Sequence, residues 1–350
     1  MYSHLAPAVG GALVKRWVEY SEVGDVDDKQ PIKMPEMSTG QVILGFLNLV
    51  WIIPMTVYIF YTLGRIYPTL AMVEDPLPDY DSIPIADPSD DDNINKAPNS
   101  ANPLATKTKP LTSSLRETRR LLSSVAGWRS HFRGLGAAVF LAFLNLLIIG
   151  PLTFLVGPFA HLIALLILTP FSTALTHVII TKPSELSFFK RVPSFRRAFA
   201  ATWAPILVFW GASQASILLP QLIAYLAVIK HKDENWTAKD GAKLVPVGFL
   251  ALAIQLFVVF PAYVALTRIQ GSLLPHDDET IVPFDRTFGG RVGSEIVTGK
   301  GFATLRDAVA TVSKSSWIRL YLQQVKIMAV VFGMTFLAII FMGIQSAIVA

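Results

Sequence analysis

The sequence predicts an all-α integral membrane protein with six transmembrane helices. Hydrophobic residues make up 52% of its 350 positions and charged residues only 16%, which is too little polar surface for a soluble domain of this size. A helix of ~20 apolar residues crosses the hydrocarbon core of a bilayer once. Five windows contain no Asp, Glu, Lys or Arg: 37–64, 134–181, 198–229, 244–267 and 327–350.

The second window holds 48 residues, enough for two crossings. We divide it at Gly157-Pro158, because glycine favours a turn and proline lacks the N–H that a helix needs. The predicted spans are therefore 42–64, 135–156, 159–180, 203–228, 245–267 and 323–347, within a membrane domain over 42–347 that follows a polar tail over 1–41.

The segment between the first two spans has the composition of a disordered linker. Eight acidic residues lie between Glu74 and Asp92, interspersed with four prolines, and a stretch rich in Asn, Ser, Thr and Lys follows them. Such a composition buries too little apolar surface to offset the entropy of ordering. We therefore predict a disordered, acidic and Pro-rich cytosolic loop over 66–112.

A weak internal repeat favours three related hairpins. The sequence PFSTALTHV begins at Pro170 in span three, and PAYVALTRI begins at Pro261 in span five. The two agree at Pro, Ala, Leu and Thr, and 62–66 in span one is a looser echo. Convergence is the alternative, because these residue types are common in membrane helices.

The distribution of Lys and Arg predicts the orientation. The segments after spans one, three and five hold 21 of these residues, whereas the N-terminal tail and the loop after span four hold eight. Positively charged loops are retained in the cytosol. Both termini are then expected on the lumenal or exterior side of an endomembrane or the plasma membrane.

Each predicted cytosolic loop ends in a basic segment next to a span. The first, 111–133, alternates apolar residues with Arg116, Arg119 and Arg120 as an interfacial helix does, and the second contains Arg196 and Arg197. These side chains predict plain positive-inside anchoring beside anionic lipid headgroups, with specific recognition of a lipid or phosphoinositide as the alternative. The net charge of +5 therefore indicates a membrane surface and not nucleic acid.

Few residues have the arrangement of a catalytic site. The chain has no cysteine, and it has no Gly-rich phosphate loop, His-Glu-x-x-His pattern or Gly-x-Ser-x-Gly elbow. The weak catalytic candidates are His276 and Asp277, with Asp285 nearby; a solvated turn is the alternative. Neither a cofactor nor a metal site is predicted.

Neutral polar residues are more frequent within the spans than ionisable ones. The ionisable residues that we single out there are His161 and Lys326, and Lys326 lies where it can extend its amine to the surface. The amides at Asn48, Asn145, Gln214, Gln221 and Gln255 need hydrogen-bond partners away from water. They either join helices or line a path through the membrane.

The sequon Asn235-Trp236-Thr237 lies in the loop after span four, which the charge distribution places in the lumen. Asn235 is therefore a candidate glycosylation site.

Residues 261–268 and the stretch ETIVPFDRTF at 279–288 resemble a family of multi-pass membrane proteins of filamentous fungi that are often labelled "ubiquitin carrier protein". The resemblance implies a fungal membrane protein. It does not imply ubiquitin transfer, because a thioester carrier needs a cysteine.

We therefore expect a non-enzymatic protein that organises lipids or proteins, or that moves a small neutral or amphipathic solute. The alternative is a membrane-embedded enzyme acting on a lipid or terpenoid-like substrate.

Overall fold

The computed structural model describes residues 39–75, 110–227, 238–275, 277–293 and 301–349. Within these ranges the chain forms helices and turns without a strand, and one isolated antiparallel bridge pairs Thr181 with Thr280. The α-helices are α1 (Thr39–Val57), α2 (Tyr67–Val73), α3 (Leu115–Ala126), α4 (Leu135–Val156), α5 (Phe159–Ile167), α6 (Thr169–Ile180), α7 (Phe195–Ala227), α8 (Ala238–Ile254), α9 (Phe260–Ser272), α10 (Leu305–Ala310) and α11 (Lys314–Val349).

Two π-helical stretches continue one α-helix into the next: Tyr58–Ile66 joins α1 to α2, and Gln255–Val259 joins α8 to α9. Short 3-10 turns cover Gly127–Phe132 and Phe188–Arg191.

The all-α membrane class is confirmed. In the described part of the chain, five helical stretches are long and apolar enough to cross a membrane, and the bent pair α5–α6 makes a sixth if it counts as one span. Large apolar side chains on these helices are exposed, to the extent of 90% for Phe154. Such exposure is costly in water and is expected where lipid is the solvent.

The break predicted at Gly157-Pro158 is present. Helix α4 covers the predicted span 135–156, and Gly157 ends it with a φ of 56°. The following span is not straight, because α5 and α6 meet at an angle of 64°. Pro170 has no N–H to donate to the carbonyl of Leu166, so the helical ladder is interrupted at this point.

Several helices extend beyond the apolar windows. Helix α7 begins at Phe195 and α11 at Lys314, because the basic segments before these spans are themselves helical. Helix α2 occupies Tyr67–Val73 inside the segment predicted to be disordered from residue 66. The rest of that loop, 76–109, and the tail over 1–38 lie outside the described residues.

The chain divides into two compact units. The smaller comprises Met1–Ile52 and Ala338–Ala350, and the larger comprises Ile53–Leu337. In the smaller unit, Trp51 donates a hydrogen bond to Asn48 over 2.9 Å and packs edge-on against Phe341. Asn48 thus has its polar partner within its own helix.

The core of the larger unit is built from α2, α6 and α9, which pack against one another. All seven residues of α2 and most residues of α6 and α9 are buried. Each helix has a proline in its first turn, at the junction with the helical stretch before it: Pro68, Pro170 and Pro261. These three segments position the polar groups described next.

Candidate functional site

The three core helices carry ionisable side chains at equivalent positions. Seven residues after the proline, α2 leads to Asp75, α6 reaches His177 and α9 reaches Arg268. The equivalence of His177 and Arg268 follows the repeat seen in the sequence, whereas the α2 member becomes apparent only from the helix start at Tyr67. The shared feature is a spacing of seven residues from the proline, counted in the sequence, and it differs from the register in which 62–66 echoes the repeat; the common origin of the hairpins stays a prediction.

Arg268 and Asp75 form a buried ion pair. Arg268 is 1% exposed, and its Nη1 atom lies 2.9 Å from Asp75 Oδ1 and donates to the Met72 carbonyl over 3.0 Å. Its guanidinium also lies over the rings of Phe288, at 5.2 Å, and Phe284. Cation–π contacts and a carboxylate together compensate for the lost hydration of the guanidinium. Burial raises the pKa of Asp75, although Arg268 opposes this shift.

Glu74 joins the two described ends of the first loop. Its carboxylate accepts hydrogen bonds from the backbone N–H of Leu111 and Thr112, at 2.5 and 3.1 Å, and from Arg319 Nη1. Arg319 Nη2 also donates to the Glu74 carbonyl over 2.9 Å. We call Glu74, Asp75, Arg268 and Arg319 the buried polar layer. It links the end of α2 with α9, α11 and the segment before α3.

Polar side chains also join α6 to α9. His177 Nε2 lies 2.9 Å from the Gln270 carbonyl, and Thr176 donates to the Gln270 side chain over 2.7 Å. The Gln270 amide donates in turn to Ser172 over 3.2 Å. His177 is therefore engaged in helix packing.

A cavity of about 460 Å³ lies among four of the membrane helices, next to the polar layer. We call it the span cavity. Met72 belongs to both features, since it lines the cavity and its carbonyl receives Arg268. The complete lining is Gly64, Pro68, Met72, Phe209, Ser213, Ser216, Ile217, Gln255, Val259, Phe260, Tyr263 and Gln324.

The lining contains neutral hydrogen-bonding groups and no carboxylate, lysine, arginine or histidine. Ser213 and Ser216 donate to backbone carbonyls in their own helix. By contrast, the amides of Gln255 and Gln324 and the hydroxyl of Tyr263 bond to no protein group within the ranges that the structure describes. These three side chains are available to a bound molecule.

Both π-helical stretches contribute to the cavity, through Gly64 in one and Gln255 and Val259 in the other. A π-helical turn inserts one extra residue into a helix and is frequent at functional sites. At Gly64, a Cβ atom would meet only the Ile59 carbonyl, at 3.4 Å. The absence of a side chain there leaves the space open.

The candidate catalytic residues lie outside the span cavity. Asp285 accepts hydrogen bonds from the backbone N–H of Thr287 and Gly289, at 2.8 and 2.7 Å, and thereby orders its own turn. Burial acts to raise the pKa of Asp285, but these hydrogen bonds outweigh it and lower the pKa. Asp277 is exposed, and His276 lies outside the described residues.

Across the described ranges, no group of three or more His, Asp or Glu side chains is arranged to hold a metal ion. His161 and Lys326 do not line the span cavity either. Among the intramembrane amides singled out in the sequence, Gln255 is the one that reaches it.

The basic residues have the exposure that a membrane-surface role requires. Helix α3 begins after Ser114, whose hydroxyl accepts the Glu117 N–H over 3.2 Å, and it buries Leu122 while Arg116, Arg119 and Arg120 stay exposed. Arg196 and Arg197 are exposed in the first turn of α7. Asn235 lies outside the described residues.

Comparison with models of protein families, with curated proteins and with solved structures finds no match. The function is therefore inferred from the geometry of this chain.

The sequence pattern does not reveal the roles of Arg268 and Arg319, which it places among the loop cations, or of Glu74, which it places in the disordered loop. The position of Arg268 directly after a charge-free window was the available signal. Gly64 and Gln324 gave no signal, because small and amide residues occur throughout membrane helices.

Proposed function

We propose that this multi-pass membrane protein binds a small neutral or amphipathic, lipid-soluble molecule in the span cavity without transforming it chemically. One observation carries the proposal: the cavity combines apolar walls with three unpartnered neutral hydrogen-bonding groups, at Gln255, Tyr263 and Gln324. Ligand sites characteristically have this composition, in which a few polar groups orient a largely apolar molecule.

The lack of charge in the lining selects against ions. A bound anion or cation would lose its hydration and would need a group of opposite charge to compensate. The cavity offers none, whereas an alcohol, an amide or a carbonyl would be satisfied by the available amides and phenol. Its volume of about 460 Å³ lies in the ordinary range for small-molecule sites.

The enzymatic alternative is less well supported. Asp277 and Asp285 do not line the cavity, and the Asp285 carboxylate is already engaged by its own turn. A catalytic carboxylate has to reach the reacting group of its substrate. The geometry therefore favours binding over catalysis.

The cellular setting is part of the same proposal. The asymmetry of Lys and Arg supports a cytosolic location for the segments after spans one, three and five, with both termini on the opposite side of an endomembrane or the plasma membrane. The exposed arginines of α3 and α7 support attraction to anionic headgroups. The resemblance at 279–288 supports a fungal origin.

Photoaffinity labelling of the purified protein in nanodiscs tests the proposal, with alkyne-tagged photoactivatable sterol and fatty-alcohol probes. Gly64→Phe fills the cavity and is expected to reduce labelling about tenfold, equivalent to ~1.4 kcal/mol of binding free energy. Gly248→Phe is the matched control, because Gly248 lies in α8 and a Cβ atom there meets nothing within 4 Å.

Labelled peptides are expected from α2, α7, α9 and α11. Equal labelling of the two variants, or labelling confined to other helices, would show that the span cavity does not hold these molecules.

A further inference from the structure

The span cavity is elongated along the helices that line it. Three helical segments contribute lining residues over the ranges 64–72, 209–217 and 255–263, and in each the first and last residues are eight positions apart. An α-helix rises ~1.5 Å per residue, so each of these ranges covers ~12 Å. The agreement of the three ranges indicates a cavity of that length.

Helix α11 runs antiparallel to the continuous helix formed by α8, Gln255–Val259 and α9. In α9, Arg268 donates to Thr311 over 3.3 Å, shortly before α11 begins. Further along α11, Tyr321 packs against Phe257, which precedes Arg268 in the chain, with ring centroids 5.8 Å apart. Residue numbers therefore rise along α11 as they fall along its neighbour.

The two available amides consequently lie at the same end of the cavity. Gln324 follows Tyr321 by about one helical turn, and Gln255 precedes Phe257 by two residues. The antiparallel packing brings the two glutamines to the same level. Each amide has both a donor and an acceptor, so the pair can bind a hydroxyl or a carbonyl group of a ligand.

The phenol of Tyr263 lies at the opposite end. Its ring packs against Phe209, with centroids 5.7 Å apart, and both residues are terminal in their lining ranges. Tyr263 is eight residues from Gln255, which is ~12 Å along a helix. The lining between the two ends is apolar or hydrogen-bonded within its own helix: Pro68, Ser213, Val259 and Phe260.

We propose that the span cavity binds an elongated neutral molecule with an oxygen-bearing group at each end, such as a long-chain diol. The paired amides hold one oxygen, and the Tyr263 phenol holds the other, ~12 Å away. The hydrocarbon between them contacts the apolar middle of the lining. A molecule with one polar end leaves the phenol without a partner away from water, which is unfavourable. This inference rests on the proposed function, because it specifies the class of molecule that the same cavity binds.

Competition against the photoactivatable fatty-alcohol probe in nanodiscs tests this inference, with decanol and the corresponding α,ω-diol as competitors. Tyr263→Phe removes the hydroxyl at one end of the cavity. The diol is expected to become about tenfold less potent in this variant, the scale of one buried hydrogen bond, whereas decanol keeps its potency because the amides hold its single hydroxyl. Each competitor is compared with itself in the two proteins, so its partition into the bilayer cancels.

Tyr321→Phe is the matched control, because Tyr321 packs against Phe257 and Phe260 outside the lining. It removes the same hydroxyl group and should leave both potencies unchanged. The double variant Gln255→Leu/Gln324→Leu tests the other end and is expected to weaken decanol about tenfold. Labelling by the probe itself reports that each single variant is folded, and thermal unfolding does so for the double variant.

Two-ended binding would be overturned by an unchanged diol potency in Tyr263→Phe, by an equal loss for decanol, or by an equal loss in Tyr321→Phe. Unchanged decanol potency in the double variant would overturn it as well. In each of these cases, labelling that remains sensitive to Gly64→Phe would leave the proposed function intact. Labelling insensitive to Gly64→Phe would instead remove the proposed function, and this inference with it.

Discussion

Among the described residues, Arg268 is the largest fully buried side chain. A guanidinium in this position would be strongly unfavourable without Asp75, the Met72 carbonyl and the rings of Phe284 and Phe288. Glu74 and Arg319 compensate one another in the same way. These residues act as cross-links between helices that lie far apart in sequence.

Removing one partner of the buried pair is expected to be costly. Arg268→Met should lower the free energy of unfolding by ~3–5 kcal/mol, because it leaves the Asp75 carboxylate buried without its cation. Lys182→Met is the control: Lys182 pairs with Glu279 at 2.7 Å, but both side chains are largely exposed, and such pairs contribute about 0–1 kcal/mol. Thermal and denaturant unfolding in detergent measures both. Similar losses in the two variants would contradict a structural role for the Arg268–Asp75 pair.

At the scale of the helices, departures from regular α-helix occur directly before the segments that are most fully buried. The π-helical stretches and the bend at Leu168 each precede one of the three buried segments α2, α6 and α9.

Gly134, which precedes α4, lies in the left-handed region with a φ of 69°. A Cβ atom there would meet Leu175, Tyr61 and Val178 at 3.0–3.1 Å. This glycine therefore permits both a turn and a close approach of helices.

Gly134→Ala is accordingly expected to destabilise the protein. A non-glycine residue at this φ costs ~1–2 kcal/mol before any steric overlap is counted. Gly136→Ala is the matched control, because Gly136 lies inside α4 and its Cβ would meet nothing within 4 Å. Alanine in a helix interior is better than glycine by ~0.5–1 kcal/mol, so this variant should be neutral or slightly stabilised. Melting temperatures in the same detergent test the pair, and equal values would refute the packing argument.

At the scale of the whole molecule, the segments that follow spans one, three and five contact one another. Lys182 donates its backbone N–H to Glu279 over 2.8 Å, and Asp75 donates to Pro283 over 3.0 Å. These contacts agree with alternate loops on one side of a membrane. Which side is cytosolic stays a prediction from charge.

The predicted orientation can be tested at two positions that it places on opposite sides of the membrane. A protease-sensitive tag inserted near Asn99 should be cleaved from the cytosolic face of sealed vesicles, because the loops rich in Lys and Arg are retained there. Asn235 should face the lumen, where glycosylation would produce a gel shift that endoglycosidase and Asn235→Gln both abolish. The sequence predicts Asn235 close to the ends of spans four and five, which would limit occupancy, so a cytosol-accessible probe at residue 235 is the result that would exclude the orientation.

The amino-acid sequence was sufficient for the membrane class and for the break at Gly157-Pro158. Charges are excluded from hydrocarbon, and proline and glycine change the backbone wherever they occur. Both effects act locally, so they can be recognised without knowing which residues pack against the segment in the folded protein. The amphipathic pattern within 111–133 was predictable for the same reason, since α3 buries Leu122 and exposes its arginines; its location at a membrane surface stays a prediction.

Only the tertiary structure decided the partners of Glu74, Arg268 and Arg319 and the existence of the span cavity. A charged residue just outside a span has the same local sequence whether it faces water or a buried ion of opposite sign. Gln255 and Gln324 lie on different helices, and only packing determines that both line one space. Burial and cavity shape arise from contacts between distant segments, so no periodicity within one segment encodes them.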